Sequence, residues 1–210
     1  MPRTIPNLER SFRYLLAWAP VVAAPTILHA QRPVADAVLQ SGSLSFLGRP
    51  TVGDFIGSTS TVTGAIVGGS DYAVAAGWVE APVATLLTGN DRRDPDLRAS
   101  MEVDRYPTIR YTLAGVSVVT SSSLGSADST ALLLHGTLSI HGVTRRVEVP
   151  ATAVRKADTI HLTAVFPLDL ADYHIGGLTK MFGLLRMQRE IEVRVDLRFV
   201  DRLSPVRATP

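Results

Sequence analysis

The sequence predicts an all-β protein, an antiparallel barrel or sandwich of about eight strands with one or two short helices. Polarity alternates residue by residue along several stretches, most regularly along Ile191–Phe199, and this period of two is typical of strands with one buried face. Turn-forming residues, glycine and proline among them, separate these stretches at short intervals. Asp91–Met101 is the one segment before the C-terminal half with a convincing helical pattern.

Residues 1–30 have the three parts of a secretory signal peptide. A start that contains arginines is followed by the apolar run Tyr14–Leu28, and the small residue Ala30 precedes the expected cleavage site. An uncleaved N-terminal anchor is the alternative. We expect export to the periplasm or the medium, with no stable membrane insertion once the signal is removed.

The remaining chain is long enough for one sizeable core and shows no obvious second domain. We expect a flexible, polar lead-in at residues 31–41, a single β domain at residues 42–201 and a C-terminal tail at residues 202–210. The sequence does not reveal the oligomeric state, which leaves a homodimer open.

The first half of the domain contains three stretches with strand character. Ser43–Leu47 alternates, and Phe55–Ile66 is rich in threonine and β-branched residues. Val74–Leu87 is apolar, but its inward face is ambiguous, and Pro82 lacks the N–H that a ladder hydrogen bond requires. We therefore expect an edge or a bulge at Pro82.

The helix of Asp91–Met101 is predicted to start with Asp94 as its N-cap and Pro95 in the first helical position. The surrounding Arg92, Arg93 and Arg98 allow two interpretations. They form ion pairs within the segment, which we favour, or they line a polar mouth that holds an anionic or polar head group.

The clearest unit is an antiparallel hairpin over Leu132–Ala151, whose turn needs the positive φ that Gly142 supplies. Before it, alternation at Ile109, Tyr111 and Leu113 predicts a strand, and Ser121–Thr130 is predicted to be a loop. After the hairpin, the alternation of Thr159–Phe166 and Ile191–Phe199 predicts two further strands. The apolar patch Met181–Leu185 is expected either to close one end of the domain or to cover a sheet edge.

Composition and spacing exclude several kinds of chemistry. The chain has no cysteine and a formal net charge of +2, so it offers no thiolate chemistry and no basic stripe for nucleic acid. The histidines lack metal-ligand spacing, no serine lies in a nucleophile elbow, and no nucleotide-binding glycine pattern occurs. We predict neither a catalytic site nor a cofactor; Asp169 and Asp172 are interpreted as turn caps, and His141 as a hydrogen-bonding turn residue.

Four phrases in order carry a resemblance to a known family. They are Thr88–Ser100, Tyr106–Tyr111, Gly136–Val147 and Phe166–Tyr173. Together they resemble the YceI-like family over roughly residues 42–200. The resemblance implies a lipocalin-like antiparallel β-barrel with an elongated apolar cavity. It also implies that the cavity binds an isoprenoid-type lipid, either a polyprenyl chain or a quinone tail.

Strand parity selects seven candidates for the lining of that cavity, and a register slip of one residue would turn any of them outward. They are Phe46, Tyr111, Leu134, Leu138, Leu162, Phe166 and Val193. Inward glycines such as Gly57 and Gly136 are expected to leave volume between them. The alternative is a solid barrel that acts as an interaction or envelope-stress module through its outer surface.

Overall fold

The computed structural model describes residues 35–51, 53–68, 72–124, 127–176, 179–180 and 185–202. The predicted signal peptide lies outside this part of the chain. So do residues 203–210 of the predicted tail and, except for Leu185, the patch Met181–Leu185.

Strands dominate the described chain, with one α-helix between the fourth and fifth strands. The elements are β1 (Ala37–Gly48), β2 (Phe55–Thr59), β3 (Thr63–Val67), β4 (Ala76–Pro82), α1 (Arg93–Ser100), β5 (Thr108–Leu124), β6 (Ala127–Ile140), β7 (Val143–Lys156), β8 (Thr159–Asp169), β9 (Thr179–Lys180), β10 (Leu185–Arg186) and β11 (Glu190–Asp201). Short 3-10 turns lie at Tyr72–Val74, Val83–Thr85 and Leu170–Tyr173.

Eight strands close into an antiparallel barrel. The order is β11-β8-β7-β6-β5-β4-β3-β1, and β1 pairs back onto β11. β2 pairs with β1 beside this ring, and β9 and β10 form a separate two-stranded sheet. The prediction of an all-β barrel of about eight strands is confirmed, and closure decides between the barrel and the sandwich that the strand pattern alone left open.

The barrel begins before its predicted start. Ala37 is buried and pairs with Asp201, so residues 37–41 belong to β1 rather than to a flexible lead-in. Their polar side chains at Gln40 and Ser41 are exposed, which is why the segment looks like a linker. The backbone N–H and C=O groups at the C-terminal end of β11 need hydrogen-bond partners, and residues 37–41 supply them.

On the side away from β11, two different strands pair with successive parts of β1. Its first residues pair with β3, at Ala37 and Val38, whereas the stretch Leu44–Gly48 pairs with β2. The predicted stretch Phe55–Ile66 is accordingly two strands, separated where the Thr61 N–H donates to the Thr59 hydroxyl at 3.0 Å. A local side-chain hydrogen bond of this kind competes with the ladder and turns the chain.

The expectation that Pro82 marks an edge holds for the residue, because the pairing with β3 ends at Glu80, but not for the strand as a whole. β4 lies between β3 and β5, and Pro82 is its last residue, opposite Thr108. The missing N–H costs nothing there because the chain leaves the ladder at that point, and the following Val83 N–H donates to the Pro107 carbonyl.

Helix α1 starts at Arg93, two residues before the predicted first helical position Pro95, and a different side chain caps it. Asn90 Oδ1 accepts the N–H groups of Arg92 and Arg93 at 3.0 and 3.2 Å. Asp94 therefore lies inside the helix, not at its N-cap. The asparagine satisfies the free N–H groups of the first turn, as the aspartate was expected to do.

Strands β5 and β6 form one long hairpin, and β6 and β7 form another, and each hairpin is paired along its whole length. His141 and Gly142 have φ of 51° and 75°, the two positive values of a type I′ turn, and Ile140 pairs with Val143. The predicted loop Ser121–Thr130 is wrong, because Ser121 pairs with Thr130 and the ladder continues to Leu124 and Ala127. Serine and threonine suggest a loop by composition, yet threonine is also favoured in strands, and Thr130 pairs with β5 on one side and with Ala153 of β7 on the other.

Candidate ligand-binding cavity

The inside of the barrel contains two neighbouring chambers. The helix-end chamber has a volume of about 320 Å³ and is bounded by α1, β1, β8 and β11. The second chamber, which we call the inner chamber, has a volume of about 120 Å³ and is bounded by β3, β4, β5, β6, β8 and β11. Four side chains line both chambers, and we call them the waist: Leu44, Ile109, Leu138 and Phe166.

The helix-end chamber has an apolar wall with a few polar groups along α1. Leu97 and Met101 of the helix segment face the apolar side chains of the barrel. Arg93, Asp96 and Ser100 supply the polar part of the wall. The helix thus covers one end of the barrel with an apolar inner side and a polar margin.

The inner chamber is almost entirely apolar. Its wall includes Leu134, Leu162, Val195 and Phe199. Tyr111 brings a phenol into this wall, and its hydroxyl oxygen is buried without a hydrogen-bond partner among the described residues. Burial raises the pKa of Tyr111 to about 12, because the low-polarity surroundings disfavour the phenolate.

All seven side chains selected from strand parity lie on the chamber walls. Phe46 and Val193 line the helix-end chamber, and Tyr111, Leu134 and Leu162 line the inner chamber. Leu138 and Phe166, both in the waist, line the two. Their contact with a ligand remains a prediction.

Sequence reasoning missed other parts of the wall. Leu44 and Ile109 share the inward parity of their strands, so the alternation that selected Phe46 and Tyr111 could have found them. The wall contributed by α1 depends on where the helix docks, and no local pattern in the sequence fixes that position.

The inward glycines do not leave empty space in the way predicted. A Cβ at Gly57 would collide with the Phe46 ring, and a Cβ at Gly136 would lie 2.7 Å from Tyr111 Oη. Each glycine therefore makes room for an aromatic ring from the neighbouring strand. The volume of the chambers lies beyond these rings, between the side chains.

The charged side chains of α1 have two roles. Asp94 fixes the helix to Thr88, and Arg93 borders the helix-end chamber. Asp94 is only 7% exposed, and its Oδ1 accepts the Thr88 N–H at 2.8 Å and the Thr88 hydroxyl at 2.6 Å. These hydrogen bonds are the main reason why the pKa of Asp94 lies below its ordinary value, with Arg98 and Arg93 adding to the effect. Arg93 lies over the Phe55 ring, 4.1 Å from its centroid, so it borders the chamber as a cation.

His141 ties the central hairpin to its surroundings, in agreement with the predicted hydrogen-bonding role. Its Nδ1 lies 3.1 Å from the Tyr173 carbonyl oxygen, and its Nε2 lies 3.2 Å from Glu102 Oε1. The ring also meets Tyr106 edge to face at 4.7 Å. These contacts make His141 a structural residue at the turn rather than part of a reactive group.

Asp169 has the predicted role of a turn cap. Its Oδ1 accepts the Ala171 N–H at 2.9 Å, and its Oδ2 pairs with Arg189 at 2.8 Å. The Ala171 N–H, followed by Arg189, holds the pKa of Asp169 below its ordinary value. Asp172 lies 3.5 Å from the Arg145 guanidinium and pairs with it at the same end of the barrel.

Metal-ligating clusters and membrane-spanning helices were the remaining features to consider in the described residues. No group of three or more histidine, cysteine, aspartate or glutamate side chains in that part of the chain is arranged to hold a metal ion. Nor does any helix there have the length and apolar character needed to cross a membrane.

The family follows from comparison of the sequence with known domains. Residues 38–199 match the YceI-like domain. The chain belongs to the YceI-like family. The predicted resemblance is thereby confirmed over most of the chain, and the matched region begins within β1 and ends within β11.

Solved structures share this barrel at low sequence identity. A polyisoprenoid-binding domain from Saccharophagus degradans, implicated in plant cell wall breakdown, has a TM-score of 0.66 and 17% identity, covering 80% of this chain and 99% of its own. BcnA from Burkholderia cenocepacia has a TM-score of 0.61 and 15% identity, covering 75% and 95%. A YceI protein from Campylobacter jejuni has a TM-score of 0.51 and 17% identity, covering 70% and 85%. At these identities the likeness concerns the fold, and a search of curated proteins gave no match.

Proposed function

We propose that this YceI-like barrel binds an elongated, apolar isoprenoid-type lipid, either a polyprenyl chain or the tail of a quinone. The lipid lies inside the barrel and is held there for storage or transfer in the cell envelope. The protein acts in the periplasm or outside the cell, after export through the predicted signal peptide at residues 1–30.

The observation that carries this proposal is the pair of apolar chambers that share a waist. The helix-end chamber alone, at about 320 Å³, lies within the range of roughly 300–1,000 Å³ that is usual for small-molecule sites. Its neighbour continues the apolar wall past Leu138 and Phe166. An elongated hydrocarbon chain suits such a space better than a compact ligand, because it can extend from one chamber into the other.

Burial of apolar surface would provide the affinity. Removing apolar ligand surface from water contributes about 25 cal/mol per Å² before the costs of association are subtracted. Branched isoprenoid chains meet walls of leucine, isoleucine, valine and phenylalanine side chains, and neither side loses a hydrogen bond on contact. The name of the Saccharophagus degradans domain, which describes polyisoprenoid binding, agrees with this chemistry.

The chambers disfavour the alternative of a solid barrel that acts through its surface alone. We also propose binding rather than catalysis, because the chamber walls bring few polar groups together. Along the helix-end chamber these are Arg93, Asp96 and Ser100, and they suit the recognition of a polar lipid end.

Native mass spectrometry of the mature protein, purified from its own host, tests the proposal. We expect a bound mass that organic extraction releases and identifies as an isoprenoid. Lipid-free protein from the same preparation should take up added polyprenols or quinones. A clean apo mass combined with no uptake of either class would contradict the proposal and favour the surface-interaction module.

A further inference from the structure

Strand β5 continues beyond the strand that pairs with it on one side. Its ladder with β4 ends at Leu113, whereas β5 runs on to Leu124 and stays paired with β6 up to that point. The 3-10 turn before β4 covers the next residues, since a Cβ at Gly115 would lie 2.9 Å from the Ala73 carbonyl oxygen. On that side, the main-chain groups of residues 117–124 have no hydrogen-bond partner among the described residues. We call these eight residues the free edge of β5.

The free edge lies outside the barrel wall. Residues 117–121 are exposed without alternation, so neither face of this part of the strand packs on the core. Two of these residues have large apolar side chains, Val118 at 45% exposed and Val119 at 65%. A third exposed valine, Val74, lies in the 3-10 turn that packs against β5. Exposed apolar side chains next to unpaired backbone groups are typical of an interaction site.

The free edge lacks most of the features that keep strand edges from pairing. No charged residue and no proline occur between Arg110 and Asp128, although lysine and proline are common means of blocking an edge. One protective feature is present, a bulge at Val119, which the ladder with β6 skips. A bulge twists the strand locally but leaves the backbone on both sides of it able to pair. We therefore expect this edge to accept another strand, and to bind it weakly.

The composition of the free edge favours a second copy of the chain as the partner. Two identical strands in antiparallel pairing are self-complementary, because a two-fold axis exchanges their donors and acceptors. Self-pairing brings no like charges together, whereas a charged partner strand would find no opposite charge on residues 111–127. A lipid surface is less suited, because this stretch contains none of the tryptophan, phenylalanine, lysine or arginine by which interfacial segments bind membranes.

We propose that two copies of this protein pair along the free edges of β5, antiparallel and about a two-fold axis, so that the two barrels share a continuous sheet. Residues 117–124 span about 27 Å at the antiparallel rise. A single ladder of this length is at the small end of specific interfaces, so the dimer dissociates on dilution. The helix-end chamber stays accessible, because Ile109, at the other end of β5, lines it.

Sedimentation velocity of the mature protein over a wide concentration range measures the association, with and without bound lipid. We expect an equilibrium of monomer and dimer for the wild type. Val119→Lys should weaken the association at least about tenfold, because each lysine repels its copy across the axis. Ile56→Lys is the matched control, since Ile56 is 61% exposed but lies on β2 and pairs with Leu47. This control should associate as the wild type does.

Single cysteines locate the contact, because the chain has no cysteine of its own. Variants such as Thr120→Cys, made one at a time across residues 117–123, can form a disulfide only with a second copy. A two-fold axis brings a residue next to its own copy at one place along the strand, so the yield of oxidised dimer should peak within this range. Ser43→Cys, at an exposed position on β1, should stay monomeric.

Three results would overturn the proposal. They are a wild type that stays monomeric at all concentrations, an association that Val119→Lys and Ile56→Lys leave equally strong, and cross-linking across residues 117–123 that does not exceed that at Ser43. If a monomeric wild type binds phosphatidylcholine vesicles and Val119→Lys abolishes that binding, the free edge is a membrane contact instead. These outcomes are independent of lipid uptake inside the barrel, which native mass spectrometry tests separately.

Discussion

Replacing Gly142 by alanine should destabilise the central hairpin through two separable effects. Gly142 has φ of 75°, a region where an L-residue costs about 1–2 kcal/mol. A Cβ at this position would also lie 2.9 Å from Tyr106 Cζ and collide with the adjacent ring atom. Moving a packed ring to relieve such overlap typically costs about 1–3 kcal/mol.

The two effects together predict a loss of roughly 2–5 kcal/mol in the free energy of unfolding. For a chain of this size each kcal/mol lowers Tm by about 2–4 °C. Gly89→Ala isolates the backbone effect, because Gly89 has φ of 68° and nothing lies within 4 Å of the added Cβ. We expect this control to lose only about 1–2 kcal/mol.

Urea unfolding of delipidated protein measures both variants, since a bound lipid would add its own stabilisation. A double-mutant cycle with Tyr106→Ala should remove the excess loss of Gly142→Ala over Gly89→Ala. Equal losses for the two glycine variants would refute the reasoning, because they would show that the Tyr106 ring does not restrict the turn.

Two further predictions concern the waist and the helix. Leu138→Arg should abolish retention of apolar ligand, while the matched Val165→Arg, at an outward position that is 53% exposed, should retain it in native mass spectra; retention by a folded Leu138→Arg variant would remove Leu138 from the binding site. Asp94→Asn should lower stability at neutral pH, since the carboxylate accepts both Thr88 hydrogen bonds. The pKa of Asp94 is lowered in the folded state, so its contribution is present above the unfolded pKa and is lost as pH falls below about 4. The stability difference from wild type should therefore shrink in acid, with exposed Asp91→Asn as the control, and a difference unchanged down to about pH 3 would contradict this assignment.

Local patterns predicted the parts of the fold that depend on local chemistry. The alternation along Ile191–Phe199 places Ile191, Val193, Leu197 and Phe199 in the buried interior, because side-chain direction follows strand parity alone. The hairpin turn at Gly142 was also predictable from the sequence, since few residues other than glycine adopt its φ. Parity also sufficed to place all seven selected side chains on the chamber walls.

The errors arose where a distant partner decides the structure. Residues 37–41 form a strand because β11 is available to pair with them, and Ser121–Thr130 forms strands because its two halves pair with each other. The helix cap is a local exception, since Asn90 lies only two and three residues before the N–H groups that it accepts, and Asp94 also fits the position by residue type. For the two strand segments, the local sequence does not name the pairing partner.

Because β1 pairs with β3 over only two residues, the barrel wall has few ladder hydrogen bonds between these two strands. β1 is bonded to β11 along most of its length, but to β3 only near Ala37 and Val38, and beyond that point it turns to β2 instead. The ring of ladders is therefore weakest between β1 and β3. Local opening there would break few ladder hydrogen bonds besides the Ser58–Leu87 pair, which joins β2 to the chain that follows β4, and we expect it to cost less than global unfolding.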